Sequence, residues 1–221
     1  MFLELGHQDF MMSTQEMNKN LLREQSKEEI KGEYDATIGN EPIEFKEAWD
    51  NEDERQQYKW QDAINKEFDK MNKLGVWTKV KRSEKPDNKR CMKTKWVFKV
   101  KRDGKFRARL VACGYSQIPG VDFNKSYAPV ISDIGYQILL LLSLKKQCMV
   151  YLIDVETAFL HGNLDEEIFM ECPEGMEHQS DEIVKLRKSI YGLVQAARQY
   201  HKKWTEVLVN QLGFQQSEAD S

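Results

Sequence analysis

The dipeptide Asp103-Gly104 constrains the fold of this chain more than any other feature. It separates two runs, residues 95–102 and 105–113, in which apolar residues alternate with polar or basic ones. Asp-Gly between alternating runs predicts a β-hairpin, because both central residues of a type I′ turn need positive φ. A two-residue loop places Arg107 and Arg109 on the same face as Trp96, Phe98 and Val100. A bulge in the turn would change these partners.

Two arginines stand two positions apart on the second run. Arg107 and Arg109 therefore share a face of the hairpin in any register. A guanidinium offers a planar fork of N–H donors, which suits it to gripping phosphate. The alternative is a basic face turned to solvent, and the local pattern does not separate the two interpretations.

The charges of the chain are segregated along the sequence. Residues 79–109 carry 14 Lys and Arg against three Asp and Glu, whereas residues 150–184 carry ten Asp and Glu and no Lys or Arg. A basic block facing an acidic block is typical of a site that handles polyanions through bound cations. Charge pairing on a solvated surface gives the same composition, so this alternative stays open.

The apolar run at residues 149–153 ends at the carboxylate of Asp154. We interpret the run as a strand covered on both faces, followed by a short apolar helix over residues 155–160. An acid at the end of a buried strand is held on rigid backbone, as a hard cation such as Mg²⁺ requires. Alternatively, Asp154 only caps the short helix, and the local pattern by itself favours the cap.

Helical periodicity predicts three further elements. One helix ends at Gly75, and its apolar stripe comprises Tyr58, Trp60, Ala63, Ile64, Phe68, Met71 and Leu74. A second runs from Ile134 to about Lys146 behind a cap at Ser132 or Asp133, and its middle is apolar all round, so we expect it to be buried. A last helix runs from about Gln195 to Leu212. Short strands are expected at residues 76–80 and 182–186. Residues 1–44 show no sustained period and predict a tail or linker, partly disordered.

Cysteine usage and hydropathy point to an intracellular protein. The four cysteines are far apart, with no C-x-x-C and no paired histidines at zinc-ligand spacing. The longest apolar run is far shorter than the roughly 20 residues that a membrane-spanning helix needs, and no basic region of a secretion signal opens the chain. We expect reduced thiols, no membrane partner and a cytoplasmic or nuclear location.

Three long segments carry a family resemblance. The stretches KTKWVFKVKRDGKFRARLVACGYSQIPGVDFNKSYAPV, LIDVETAFLHGNLDEEIFMECPEG and VKLRKSIYGLVQAARQYHKKW resemble the reverse transcriptase of copia-type (Ty1/copia) retrotransposons, the polymerase part of a retroelement Pol polyprotein. The resemblance covers about residues 46–221. It implies an α+β fold comprising the N-terminal part of a reverse transcriptase over residues 45–221, with fingers at about 76–130 and a partial palm at about 131–221.

The resemblance also implies site residues and partners. Arg109 would contact the triphosphate of the incoming nucleotide, with Arg107 in support. Asp154 would be a catalytic carboxylate that holds Mg²⁺ together with the backbone carbonyl of Val155. Phe159 would form an aromatic gate against the ribose 2′-hydroxyl, with Ala158 beside it, and Gln195 would lie near nucleotide and template. The partners would be an RNA or DNA template-primer and a dNTP, and the reaction template-primed nucleotidyl transfer between two cations.

The sequence departs from this family pattern at several positions. Such polymerases use further aspartates from a Tyr-x-Asp-Asp hairpin, and this sequence has no Asp-Asp pair. Gln137 stands where the family has an arginine, and Ala197 where it has a proline. With one carboxylate where a two-cation site wants two or three, we expect unstable Mg²⁺ binding and no polymerase activity from the chain alone. The alternative function is a non-enzymatic nucleic-acid-binding remnant that uses the basic fingers.

Overall fold

The computed structural model describes residues 41–216, which form an α+β fold. The predicted tail at residues 1–44 lies outside the described residues except for its last four positions. The chain begins with a short helix α1 (Phe45–Trp49), followed by the long helix α2 (Glu54–Lys73). Six strands follow, β1 (Trp77–Lys81), β2 (Cys91–Met92), β3 (Thr94–Val100), β4 (Phe106–Ala112), β5 (Asn163–Glu171) and β6 (Glu182–Lys188). Helix α3 (Asp133–Lys145) lies between β4 and β5, and α4 (Ala196–Glu206) follows β6.

Helix α2 confirms the helix that the apolar periodicity of the sequence predicts before Gly75. The side chain of Asp53 accepts a hydrogen bond from the Arg55 backbone N–H at 2.9 Å, which caps the first turn. The buried residues of α2 include four of the predicted stripe, Trp60, Ala63, Ile64 and Met71. Tyr58, also assigned to the stripe, is instead 74% exposed. After the helix the chain turns at Gly75, whose φ of +62° is easily reached only without a Cβ.

The hairpin of β3 and β4 forms as predicted, but its register differs by one residue. Val97 pairs with Arg109 and Lys99 with Arg107. The Lys101 backbone N–H donates to the Lys105 carbonyl at 2.9 Å, and the loop between them turns at Gly104 with φ +73°. This is a three-residue loop with a bulge at glycine, rather than a two-residue turn.

The one-residue shift overturns the predicted faces of the hairpin. Trp96, Phe98 and Val100 are buried, whereas Arg107 and Arg109 lie on the opposite face and are only partly buried. A slip of one position moves every side chain of a strand to the other face of the sheet. The apolar face of the hairpin packs on α2, where the Trp60 ring lies 5.3 Å from Phe98 and 4.4 Å from Phe106.

A four-stranded sheet in the order β1-β6-β5-β2 forms a second layer. Strand β6 pairs antiparallel with both β1 and β5, and β2 pairs parallel with β5. The strand expected at residues 182–186 is confirmed as β6. Strand β5 is absent from the sequence-based expectations, because its first half, Asn-Leu-Asp-Glu-Glu, is acidic and lacks the β-branched and aromatic residues typical of strands.

Two predictions of burial are wrong. Helix α3 begins as expected, with the Ser132 hydroxyl accepting from the Gly135 N–H at 3.0 Å, yet none of its residues is buried. Residues 149–153 form no strand, and Leu152 is fully exposed at 101%. An apolar run becomes a buried strand only when neighbours supply backbone partners and cover its faces, and within residues 41–216 no element does so.

The C-terminal helix agrees approximately with its prediction. Helix α4 continues as a π-helical turn over Val207–Gln211, and the chain then turns at Gly213 with φ +72°. All four cysteines are free thiols. Within the described part of the chain, no helix is both long and apolar enough to cross a membrane.

Candidate functional site

A cleft of about 730 Å³ lies between strand β4 and the segment at residues 154–159. Six of the seven residues singled out from the sequence line it: Arg107, Arg109, Asp154, Val155, Ala158 and Phe159. The seventh, Gln195, does not line the cleft. Residues about 50 positions apart in sequence therefore meet in one cavity, which neither pattern could have shown by itself.

The charge of the cleft is mainly positive. Lys70 from α2, together with Lys101 and Lys105 on either side of the hairpin loop, joins the two arginines of β4 along the lining. The acidic residues of the lining are Asp154 and Glu156, and Glu156 forms an ion pair with Lys70. Several cations converging on one concave surface concentrate an electrostatic field that attracts polyanions such as phosphates.

Sequence reasoning did not place Lys70 at this site. It stands on the exposed flank of an amphipathic helix, where a lysine is ordinary. Nothing in the local sequence pattern distinguishes it from an ordinary surface lysine.

Arg109 is the more enclosed of the cationic groups. Its guanidinium carbon lies 5.0 Å from the centroid of the Tyr191 ring, which is cation–π geometry. Its Nε is buried and has no hydrogen-bond partner among residues 41–216. The side chain is thus held by stacking at the border of the cleft, where the terminal N–H groups of the guanidinium are placed to bind an anion.

Asp154 lines the cleft but does not cap a helix. The short 3₁₀ turn Ala158–His161 begins after Thr157, and Thr157 has left-handed backbone with φ +54°. The predicted start of that helix at Val155 is therefore wrong, and so is the N-cap alternative for Asp154. Burial, followed by the charge of Asp154, raises the pKa of the Tyr200 hydroxyl, so the carboxylate and this tyrosine are neighbours.

Phe159 is fixed by aromatic and backbone contacts. Its ring lies 5.4 Å from Tyr191 and 6.4 Å from Tyr200, in edge-to-face arrangements. The Ser189 hydroxyl donates to the Phe159 carbonyl. The ring is therefore held in place in the cleft wall next to Ala158.

The donor set around Asp154 does not match a two-cation site. Within residues 41–216 there is no group of three or more His, Cys, Asp or Glu that could hold a metal ion. Glu156, the nearest acid in sequence, already pairs with Lys70. A hard divalent cation prefers several oxygen ligands, and one free carboxylate with a backbone carbonyl falls short of that requirement.

Gln195 lies in the interior, away from the cleft. It is 0% exposed, and its Oε1 accepts a hydrogen bond from Gln117 Nε2 at 3.0 Å. Its Nε2 donates to the Asp122 carbonyl at 3.3 Å and to Glu166 Oε2 at 3.5 Å. These contacts tie the start of α4 to the loop after β4.

Comparison with known proteins adds to this geometry. Residues 74–221 match the family described as reverse transcriptase (RNA-dependent DNA polymerase). The chain belongs to the reverse transcriptase family. Its similarity to copia-type Pol polyproteins confirms the resemblance carried by the three sequence segments, and the family generally uses a divalent metal.

Three relatives illustrate this membership. The chain is 39% identical over 178 residues to the retrovirus-related Pol polyprotein from transposon TNT 1-94 of Nicotiana tabacum, which covers 77% of this chain and 13% of that protein. It is 32% identical over 170 residues to the Pol polyprotein from transposon RE2 of Arabidopsis thaliana, covering 74% and 12%. It is 26% identical over 168 residues to the truncated transposon Ty1-A Gag-Pol polyprotein of Saccharomyces cerevisiae, covering 75% and 14%. No solved structure matches the chain.

Proposed function

We propose that the cleft between β4 and residues 154–159 binds the triphosphate of a nucleotide within an RNA-directed DNA polymerase of a copia-type element. The observation that carries this proposal is the convergence of Arg107 and Arg109 with Asp154 in one cavity of about 730 Å³. A deoxynucleoside triphosphate is a compact polyanion, and a concave site with several cations suits it in size and in charge.

The roles that we propose follow the position of each residue. Arg109 lines the cleft and grips the phosphates with its guanidinium, and Arg107 supports it from the same strand face. Phe159 stands as the aromatic gate beside the sugar, with Ala158 next to it. In this proposal, the fingers span about residues 76–130 and the partial palm about residues 131–221, as the family resemblance implies.

We also propose that this chain does not polymerise nucleotides without further carboxylates. The described residues offer Asp154 and the carbonyl of Val155, which do not complete a Mg²⁺ site. In a primer-extension assay with Mg²⁺ and a homopolymer template, the chain should incorporate no nucleotide. Incorporation that disappears in Asp154→Ala would contradict this proposal.

Phosphate binding is tested by calorimetric titration of the chain with a deoxynucleoside triphosphate. Arg109→Ala should weaken binding by about 10- to 100-fold, because a hydrogen bond to a charged group contributes about 1.5–3 kcal/mol. The matched control is Arg102→Ala, which removes the same charge from an exposed position in the hairpin loop outside the cleft. Equal losses of affinity in the two variants would mean that triphosphate binding depends only on net charge, which would contradict the proposed role of Arg109.

A further inference from the structure

A buried glutamate, Glu67, lies close to the part of β4 that carries Arg107 and Arg109. Glu67 lies on the apolar face of α2, in line with Trp60, Ile64 and Met71, and is only 7% exposed. Its Oε1 has no hydrogen-bond partner within residues 41–216. Burying a charged glutamate at such a position costs free energy unless a nearby cation compensates the charge. We therefore expect a cation close to Glu67.

Three cations that act on the Glu67 carboxyl, Lys70, Arg107 and Arg109, also line the cleft. Glu67 and Arg107 both border a smaller cavity of about 100 Å³, together with Lys66, Lys70 and Tyr191. Tyr191 is the ring that stacks on the Arg109 guanidinium at 5.0 Å. Burial raises the pKa of the Glu67 carboxyl, while Lys70, the Leu110 backbone N–H, Arg109 and Arg107 lower it.

The edge of β4 explains how helix and arginines meet. Strand β3 pairs along one edge of β4, and on the other edge the Ala112 N–H donates to the Tyr191 carbonyl at 2.9 Å. The Leu110 N–H, two residues earlier, points to this same outer edge and lowers the pKa of the Glu67 carboxyl. Glu67 and Ala108 border the same small cavity, so the carboxylate lies beside the stretch of β4 that carries Arg107 and Arg109.

The two unsatisfied groups complement each other. Glu67 Oε1 is a buried acceptor without a donor, and Arg109 Nε is a buried donor without an acceptor among the described residues. Opposite charges in a low-dielectric interior attract each other strongly even when they are not in direct contact. An arginine held from behind by such a charge loses less freedom when it binds an anion in front.

We infer that Glu67 is a positioning residue that holds the Arg109 and Arg107 guanidinium groups facing the cleft. The inference rests on the proposed phosphate-binding function, because Glu67 holds the arginines in the orientation in which they bind a polyanion. It makes a distinctive prediction. If Glu67 merely added negative charge near the site, its neutralisation would strengthen anion binding, whereas a positioning role requires weaker binding.

The first test needs no ligand. The exchange of the Arg109 Nε–H with solvent, followed by NMR of ¹⁵N-labelled chain and assigned with Arg109→Lys, should be at least about tenfold faster in Glu67→Gln than in the wild-type chain, because a guanidinium that Glu67 no longer holds opens to solvent more often. Equal exchange rates would overturn the inference, whether or not the cleft binds phosphate.

The second test is a double-mutant cycle with inorganic triphosphate as the probe. Glu67→Gln keeps the side-chain volume, and it should weaken binding by about tenfold, within the range of coupled neighbouring groups. In the Arg109→Ala background, the same change should cost much less affinity, because only Arg107 is then left for Glu67 to position. Thermal unfolding checks that each variant is folded.

Three outcomes of the cycle would overturn the inference. In the first, Glu67→Gln binds triphosphate more tightly than the wild-type chain, and in the second it binds with unchanged affinity. In the third, Glu67→Gln loses the same tenfold in affinity whether or not Arg109 is present. Absence of triphosphate binding by the wild-type chain would refute the proposed function instead, and the exchange rate of Arg109 would then decide the positioning role by itself.

Discussion

Replacing Gln195 with alanine should damage stability rather than phosphate binding. The side chain is fully buried and joins three partners, Gln117, the Asp122 carbonyl and Glu166. Family resemblance gives this glutamine a role near the nucleotide, whereas its contacts in the structure are those of an interior polar network. The two roles predict opposite results for the same variant.

The size of the effect follows from the groups left behind. Gln195→Ala leaves Gln117 Nε2 and the Asp122 carbonyl without this partner, and each buried unsatisfied group costs about 1–3 kcal/mol. A loss of about 3 kcal/mol is large beside the roughly 5–15 kcal/mol of a typical domain. With a slope of about 2 kcal/mol per molar urea, the midpoint of unfolding should fall by about 1.5 M.

The assay is equilibrium unfolding in urea, followed by the fluorescence of the five tryptophans. Gln199→Ala is the matched control, because Gln199 is 2% exposed and makes one hydrogen bond, to Asp165 at 3.1 Å. Since Asp165 also pairs with Lys202, we expect a smaller loss of about 1–2 kcal/mol. A Gln195→Ala chain that unfolds at the wild-type urea concentration yet loses triphosphate affinity would refute the structural role.

Three further predictions concern other parts of the fold. Gly114→Ala should destabilise the chain by about 3 kcal/mol in the same urea assay, because a Cβ there would lie 1.9 Å from the Gly192 carbonyl oxygen; unchanged stability would contradict this close approach. Burial and the neighbouring Glu171 raise the pKa of the Cys91 thiol to about 12, so at pH 8 iodoacetamide should modify exposed Cys148 well before it; mass spectrometry showing the reverse order would refute this. Single-stranded RNA bound through residues 79–109 should dissociate steeply as salt rises, with a log–log slope of about −0.7 per phosphate contacted; salt-independent anisotropy would exclude the basic block as the contact.

Secondary structure was predicted correctly from the sequence where the pattern lies within a single element. The stripe of α2, the stop at Gly75 and the Asp-Gly hairpin are local patterns, and the structure has all three. The register of the hairpin was wrong because it depends on one residue in the loop. Two- and three-residue loops share the Asp-Gly signature, and only the backbone at Gly104 distinguishes them.

Burial could not be predicted from hydrophobicity alone. The apolar helix α3 and the run at residues 149–153 look like core in sequence, but both are exposed in the described chain. Whether an apolar surface is buried depends on what lies against it, which is a property of the assembled fold. Strand β5 is the converse case, since neighbouring strands give order to a segment with weak local preference.

Sequence motifs identified most residues of the site, but only the tertiary structure brings these residues together. Arg109 and Asp154 are both named by the sequence, yet their meeting in one cleft depends on how β4 packs between α2 and residues 154–159. Glu67 and Lys70 carried no functional signal, because a polar residue on an amphipathic helix is ordinary until its neighbours are known.

The most direct test of the central claim is an NMR titration of ¹⁵N-labelled chain with a deoxynucleoside triphosphate. The account predicts that backbone signals from residues 105–109 and residues 154–159 shift together along one saturable binding curve, because both segments line the same cleft. Shifts confined to one of the two segments, or spread evenly over the basic residues 79–109, would contradict it.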